Sequence, residues 1–256
     1  MEIFETITYE QKGAIAIITM NRPDKLNACS TFMYKDIDKA LDIIEESDEI
    51  RAVIITGSGD QAFSAGADLQ ELNFENLKQS RKYIDIDAKT FRHLENIPQP
   101  VIAAVNGSAI GYGCKIAIIS DITIASEKAK FCLPGTSFGA VHVIMLGRAL
   151  NVLGRKRLAN MLLTGEMIDV HQAERYGIVN TIVPQDQLLA TAEKVANKIA
   201  SFPPISVQVT RRMLHRGNDD DYRWEDLLSP GLLLMEDVKE GQRAFIEKRK
   251  PKFTGK

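Results

Sequence analysis

The sequence predicts an α/β fold, and three observations carry that expectation. The apolar run Ala52-Val53-Ile54-Ile55-Thr56-Gly57 is followed by the glycine-containing turn Phe63-Ser64-Ala65-Gly66-Ala67-Asp68-Leu69. The run Val101-Ile102-Ala103-Ala104-Val105 is followed by a second such turn, Asn106-Gly107-Ser108-Ala109-Ile110-Gly111-Tyr112-Gly113-Cys114. Each reads as a strand that ends in a tight turn and runs into a helix. The third observation is scale. With 256 residues, 45% of them hydrophobic and 26% charged, the chain is long enough for one substantial core or for one domain with a C-terminal appendage.

Taken in order, Ile7–Glu10 and Ala14–Met20 flank Gln11-Lys12-Gly13 and read as a β-hairpin. Asn21-Arg22-Pro23-Asp24-Lys25 is turn chemistry. Ser30 or Thr31 caps a helix whose apolar positions Met33, Ile37, Ala40, Leu41 and Ile44 recur at helical spacing. Further strands are expected at 52–57, 101–105 and Asp121–Ala125. Residues 71–97 are polar, charged and irregular in period, and read as a mobile flap over a site. Asp169 with Gln172 three residues on forms a capping-box pattern, and Gly177 stops that helix. Ile178–Val183 reads as a strand closed by Pro184. Leu188, Leu189, Ala192, Val195, Ala196 and Ile199 make one face of the next helix. Phe202-Pro203-Pro204 breaks the chain before a more charged helical end and the basic tail Lys248-Arg249-Lys250-Pro251-Lys252.

Composition excludes several classes of function. A net charge of −2 gives no electrostatic case for nucleic acid or an anionic membrane. The longest apolar runs fall far short of the roughly 20 residues of a membrane helix, and the acidic start Met1–Glu5 is unlike a secretory signal. Three cysteines, Cys29, Cys114 and Cys132, with no C-x-x-C pair, suit reduced thiols in a cytoplasmic protein. Four histidines without a His/Cys cluster give no expectation of a metal. Neither G-x-G-x-x-G after the first strand nor G-x-x-x-x-G-K-[ST] is present, and Gly111-Tyr112-Gly113 alone is weak evidence for a nucleotide.

The two turns are the chemical signal. Where a strand turns into a helix, the first backbone N–H groups have no partner within the chain. Two such ends facing one point make an anion-stabilising pair, the arrangement of an oxyanion hole.

In order along the chain, Asn21-Arg22-Pro23 with Asn27-Ala28, the two strand–turn segments, Leu163-Thr164-Gly165-Glu166, Gly177-Ile178-Val179-Asn180, Val183-Pro184 and Phe245-Ile246-Glu247-Lys248-Arg249 closely resemble the crotonase (enoyl-CoA hydratase/isomerase) superfamily. The resemblance implies a spiral of β-β-α repeats over residues 1–200 and a C-terminal helical trimerisation region at 201–256, in trimers or hexamers. It implies acyl-CoA thioester ligands, with coenzyme A as part of the substrate and no separate cofactor. It assigns the two oxyanion N–H donors to Ala67 and Tyr112. Substrate binding falls to Lys25 and Tyr112 and to the stretch Ala65, Ala67, Asp68, Leu69 and Gln70.

The chain also departs from the family pattern. Hydratases carry a glutamate in the second helix, one residue after a cysteine or similar residue, and here that slot holds Lys115. A second glutamate follows a proline, and here Pro134 is followed by Gly135. Together those acids position water and exchange its protons, which neither lysine nor glycine does. The usual glycine at the second donor is Tyr112, and the later P-G-x-G-G segment is replaced by His142–Arg148. His142 is therefore a candidate general base or a buried helix-start histidine. Lys115 pairs with an acyl carboxylate, serves as a desolvated amine, or is solvated or salt-bridged to a neighbouring acid. Tyr112 stacks on the acyl chain, donates its hydroxyl, or only packs. Cys114 and Cys132 read as small core residues and Asp68 and Asp121 as caps. The reading from sequence is an acyl-CoA lyase or isomerase that stabilises a thioester enolate without the two-glutamate mechanism. A silent CoA-thioester-binding subunit and a hydratase with a base from elsewhere are its alternatives.

Overall fold

The structure is a computed structural model and describes residues 4–72, 75–138, 146–215, 236–237, 240–241, 244 and 247–256. Strands Ile7–Lys12 (β1) and Ile15–Met20 (β2) form the expected antiparallel hairpin, turning at Gly13 with φ +59°. From β2 onward the main sheet is parallel. It continues through Ala52–Gly57 (β3), Val101–Val105 (β5), Ile122–Ser126 (β7) and Thr181–Val183 (β10), in the order β1-β2-β3-β5-β7-β10. Its central strands are near-continuous apolar runs because helices cover both faces. On one face Ile15, Ile17, Ile54, Ile102 and Ala104 pack under helix Leu188–Ala200 (α6) through Leu188, Ala192 and Ala196. On the other, Ala16, Ile18, Val53, Ile55 and Ala103 meet helix Thr31–Glu45 (α1) through Met33, Ile37, Leu41 and Ile44. Ser30 is the cap of α1, its hydroxyl accepting from Met33 N–H at 3.3 Å.

A second sheet was not anticipated. Ala62–Ser64 (β4), Ser108–Ile110 (β6), Lys130–Cys132 (β8) and Ile168–Asp169 (β9) are ordered β4-β6-β8-β9. Each is two or three residues long, too short to show an alternating pattern. They complete the repeat: one strand enters the main sheet, the next the small sheet, and a helix returns. The helices are Leu77–Asn96 (α2) after β3 and β4, Tyr112–Ile119 (α3) after β5 and β6, and Leu146–Thr164 (α4) after β7 and β8. This is the β-β-α spiral expected from the family likeness.

Residues 71–97 are not an irregular flap. Their bulk is α2, twenty residues long and capped by Asn76, whose side chain accepts from Gln79 N–H at 3.1 Å. The period was hidden because inward positions carry Asp87 and Thr90 beside Tyr83, Phe91 and Leu94, all buried. The strand expected from Ile178 begins only at Thr181. Helix Val170–Tyr176 (α5) is capped by Asp169 and ended by Gly177 (φ +85°) as read from the sequence. Helix Pro204–Leu214 (α7) follows the proline break. Among the described residues no helix is long and apolar enough to cross a membrane.

Candidate functional site

Backbone pairing brings the two turns together. β4 and β6 are parallel neighbours, with Ala62 opposite Ser108 and Ser64 opposite Ala109. Their approach needs glycine: a Cβ on Gly107 would lie 2.5 Å from the Gln61 carbonyl oxygen, and one on Gly113 2.7 Å from that of Ser64. Beyond the strands Gly66 (φ +95°) and Gly111 (φ +50°) back onto each other, a Cβ on Gly66 falling 3.0 Å from the Ile110 carbonyl oxygen.

The first turn is held from the N-terminal side. Asn27 donates to the Ser58 and Ala62 carbonyls, both at 2.9 Å, and accepts from Arg22 N–H. Cys29 N–H donates to Gly66 O at 2.7 Å, and Asp68 N–H donates to Cys29 O at 3.0 Å. This pairing uses the groups on either side of Ala67, so the Ala67 N–H points away from it. The turn then enters a 3-10 turn, Leu69–Glu71, not an α-helix. The Ala67 N–H is thus freed by the bridge and by the Gly66 conformation, which corrects the helix-start reading of this segment.

The second turn does run into an α-helix. Gly111 is its cap residue, its N–H donating to Cys132 O at 2.9 Å and its carbonyl accepting from Lys115 N–H. Tyr112 is the first residue of α3, so its N–H lies at the positive end of the helix. Among the described residues, neither the Ala67 nor the Tyr112 N–H has an acceptor in the chain.

Behind the second turn, side chains of α1, α2 and α3 pack into a buried cluster of aromatic and polar groups. The Tyr112 ring packs edge-on against Tyr34 and Phe91, with centroids 4.7 and 4.8 Å away. Tyr34 and Tyr83 hydroxyls are 3.3 Å apart. Lys115, one helical turn beyond Tyr112, is 8% exposed; its Nζ lies 3.7 Å from Asp87 Oδ2 and 5.1 Å from the Phe91 ring centre. Two buried polar atoms here have no hydrogen-bond partner among the described residues: Asp87 Oδ1 and the Tyr112 hydroxyl. Burial pushes the Asp87 carboxyl up from its ordinary value, and the Lys115 charge only partly offsets this. Burial likewise pushes the Cys29 thiol up to about 12 and raises Tyr112.

The remaining candidates from the sequence are distributed as follows. Ala65 and Ala67 are half-buried, while Lys25, Leu69 and Gln70 are exposed. Asp68 is buried, bound to Arg22 at 3.0 Å and capping Gln70 N–H at 3.2 Å. Gly135 is itself buried and opens a 3-10 turn, Gly135–Phe138. His142 lies outside the described residues. Cys114 and Cys132 are buried. Asp121 caps no helix: it accepts from Val101 N–H and binds Arg211 and His215 of the α7 segment. In the basic tail, Arg249 is engaged by Glu240 at 2.6 Å. A cleft of about 540 Å³ lined by Glu45, Gln208 and Arg212, and an apolar groove of about 460 Å³ lined by Ile199, Phe202 and Leu214, both lie at the α7 segment, away from the turns. Sequence reading missed Asp87, whose signal was an acid at an inward position of a helix that had not been recognised.

Comparison with known proteins agrees with this architecture. The family described as Enoyl-CoA hydratase/isomerase matches residues 10–256. The chain is 37% identical to a short-chain-enoyl-CoA hydratase of Clostridium acetobutylicum over 95% of each chain. It is 32% identical to a crotonyl-CoA hydratase of Syntrophomonas wolfei over 99% of each. The crystal structure of an enoyl-CoA hydratase from Bacillus anthracis superposes with a TM-score of 0.93 at 31% identity, covering 98% of this chain and all of that one. Strand spiral, paired turns and sequence similarity along the whole chain lead to one conclusion: this chain belongs to the enoyl-CoA hydratase/isomerase family.

Proposed function

We propose that the protein adds water across the double bond of 2-enoyl-CoA thioesters through an enolate held by the N–H groups of Ala67 and Tyr112. The observation that carries this reading is the meeting of two turns whose Ala67 and Tyr112 N–H groups have no acceptor among the described residues. Donors fixed by backbone pairing need no reorganisation as charge develops on the thioester oxygen, and one such donor is worth about 3–4 kcal/mol of barrier. The names of the relatives favour hydration over isomerisation or another lyase reaction. Lys115 and Gly135 occupy the two family glutamate slots, so proton exchange rests on a different group. Lys25, Ala65, Asp68, Leu69 and Gln70 are the residues proposed to lie along the path of the CoA moiety. The region 201–256 is proposed to pack on neighbouring copies in a trimer or hexamer, in a cytoplasmic enzyme.

Proline at position 67 removes one donor without removing a hydrogen bond made within the described chain. With crotonyl-CoA as substrate, followed by loss of its enone-thioester absorbance, Ala67→Pro is expected to lower kcat by about 10²–10³-fold. Unchanged turnover would refute the donor assignment. Tight thioester binding by a wild type that turns over none of a panel of enoyl thioesters would instead establish a silent binding subunit.

A further inference from the structure

We propose that Asp87, held in place by Lys115, is the acid–base carboxyl of the reaction, supplied from α2 where the glutamates of α3 and of the 134–135 segment are missing. The inference rests on the water-addition reading above.

Its basis is the geometry of the buried cluster behind the second turn. Asp87 is 6% exposed, and only one of its oxygens is used: Oδ2 faces Lys115 Nζ at 3.7 Å, while Oδ1 has no hydrogen-bond partner among the described residues. An unsatisfied buried carboxylate oxygen costs free energy. Its retention is explained if Oδ1 is kept for water or substrate. Lys115 stands in the slot where a glutamate would work, so the carboxyl it grips is carried to the same place from a facing helix. The pairing also explains why lysine is tolerated there. A lone buried ammonium would be costly, whereas one beside a carboxylate and over the Phe91 ring is compensated. It argues against Lys115 serving an acyl carboxylate, because its counter-ion is already present.

The groups that face Asp87 come from every neighbouring element. They are Lys115 and Tyr112 of α3, Tyr34 of α1, Cys29 just before α1, and Tyr83 of α2 itself. Burial raises the carboxyl and keeps the thiol and the three phenols neutral, so among these groups Lys115 is the charge that counters that rise.

The step balances with water alone. Asp87 takes a proton from water through Oδ1 as the water oxygen bonds to Cβ of the enoyl group. The Cα=Cβ pair shifts to Cα–C1, and the carbonyl pair moves onto the thioester oxygen. The neutral carboxyl then returns the proton to Cα as the carbonyl re-forms. One O–H is added across the double bond, with no outside electrons.

The test compares the wild-type protein with Asp87→Asn and Lys115→Met on crotonyl-CoA, together with butyryl-CoA affinity and thermal midpoint. Asp87→Asn is expected to lose about 10²–10⁴-fold in kcat while still binding butyryl-CoA. Equal kcat would overturn the assignment and leave the water-addition reading standing. A wild type that hydrates no 2-enoyl thioester would overturn both. Lys115→Met keeps Asp87 and removes the facing charge, so it supports a readout even if Asp87→Asn fails to fold. The ascending limb of its kcat/KM profile is expected to move to higher pH by about one unit or more. A limb that stays in place would overturn the proposal.

Discussion

Gly66 and Gly111 sit back to back at the meeting of the two turns, a Cβ on Gly111 falling 3.7 Å from the Gly66 Cα. Both adopt positive φ, a conformation that favours glycine, and at Gly66 space adds a second reason, a Cβ there falling 3.0 Å from the Ile110 carbonyl oxygen.

Gly66→Ala tests that dependence. At φ +95° an alanine is strained, and its methyl would press the Ile110 carbonyl oxygen at 3.0 Å. A loss of about 1–3 kcal/mol of stability is expected, read as a lower thermal midpoint. Turnover should fall as well, because the strain is relieved by moving the Ala67 N–H. A midpoint equal to that of the wild type would show that the turn tolerates a side chain.

The junction between α7 and the main sheet is the expected acid-labile point. Arg211, 5% exposed, donates to Asp121 Oδ2 at 2.6 Å and to the carbonyls of Leu94, Glu95 and Ile97. His215 Nδ1 accepts from Arg148, leaving Nε2–H to donate to Asp121 at 2.8 Å. Burial alone would raise the Asp121 pKa. The His215 hydrogen bond, the Arg211 charge and the Val101 N–H outweigh it and hold the carboxyl below its ordinary 3.8. A carboxyl lowered by folding stabilises the fold above its unfolded pKa, and that contribution is lost as pH falls through the folded value. Thermal midpoints should therefore drop below about pH 4 in the wild type and do so less in Asp121→Asn. Arg211→Leu, which strands the buried carboxylate, is expected to cost about 3–5 kcal/mol at neutral pH.

Thiol labelling checks the packing around the turns. Cys29 and Cys114 are completely buried, and burial pushes both thiols up. Cys132 is buried and donates to Gly165 O at 3.1 Å. The native protein is expected to take up no iodoacetamide near pH 8, and all three thiols to react after unfolding. Labelling of Cys29 in the native state would mean that the Ala67 bridge opens.

Much of this molecule was legible in its sequence because long apolar runs and caps are local signals. β3 and β5 were expected at their observed bounds, and Ser30, Asp169 and Gly177 cap or stop their helices as read. Both glycine turns were recognised before their meeting could be seen. The short strands of the second sheet were not, since three residues carry too little pattern to register. α2 was missed for a more informative reason. Its inward face carries Asp87, and a polar residue at a core position breaks the hydrophobic period by which a helix is recognised.

By itself, then, the sequence determined the α/β class, the family likeness and the two turns, because each is written in contiguous residues, and the spiral followed from the likeness. Tertiary structure alone decided that Gly66 and Gly111 touch, that Asp121 binds Arg211 across ninety residues of chain, and that Lys115 finds its counter-ion in Asp87. Those pairings are set by strand register and helix packing, which bring distant segments together without leaving a pattern in either one.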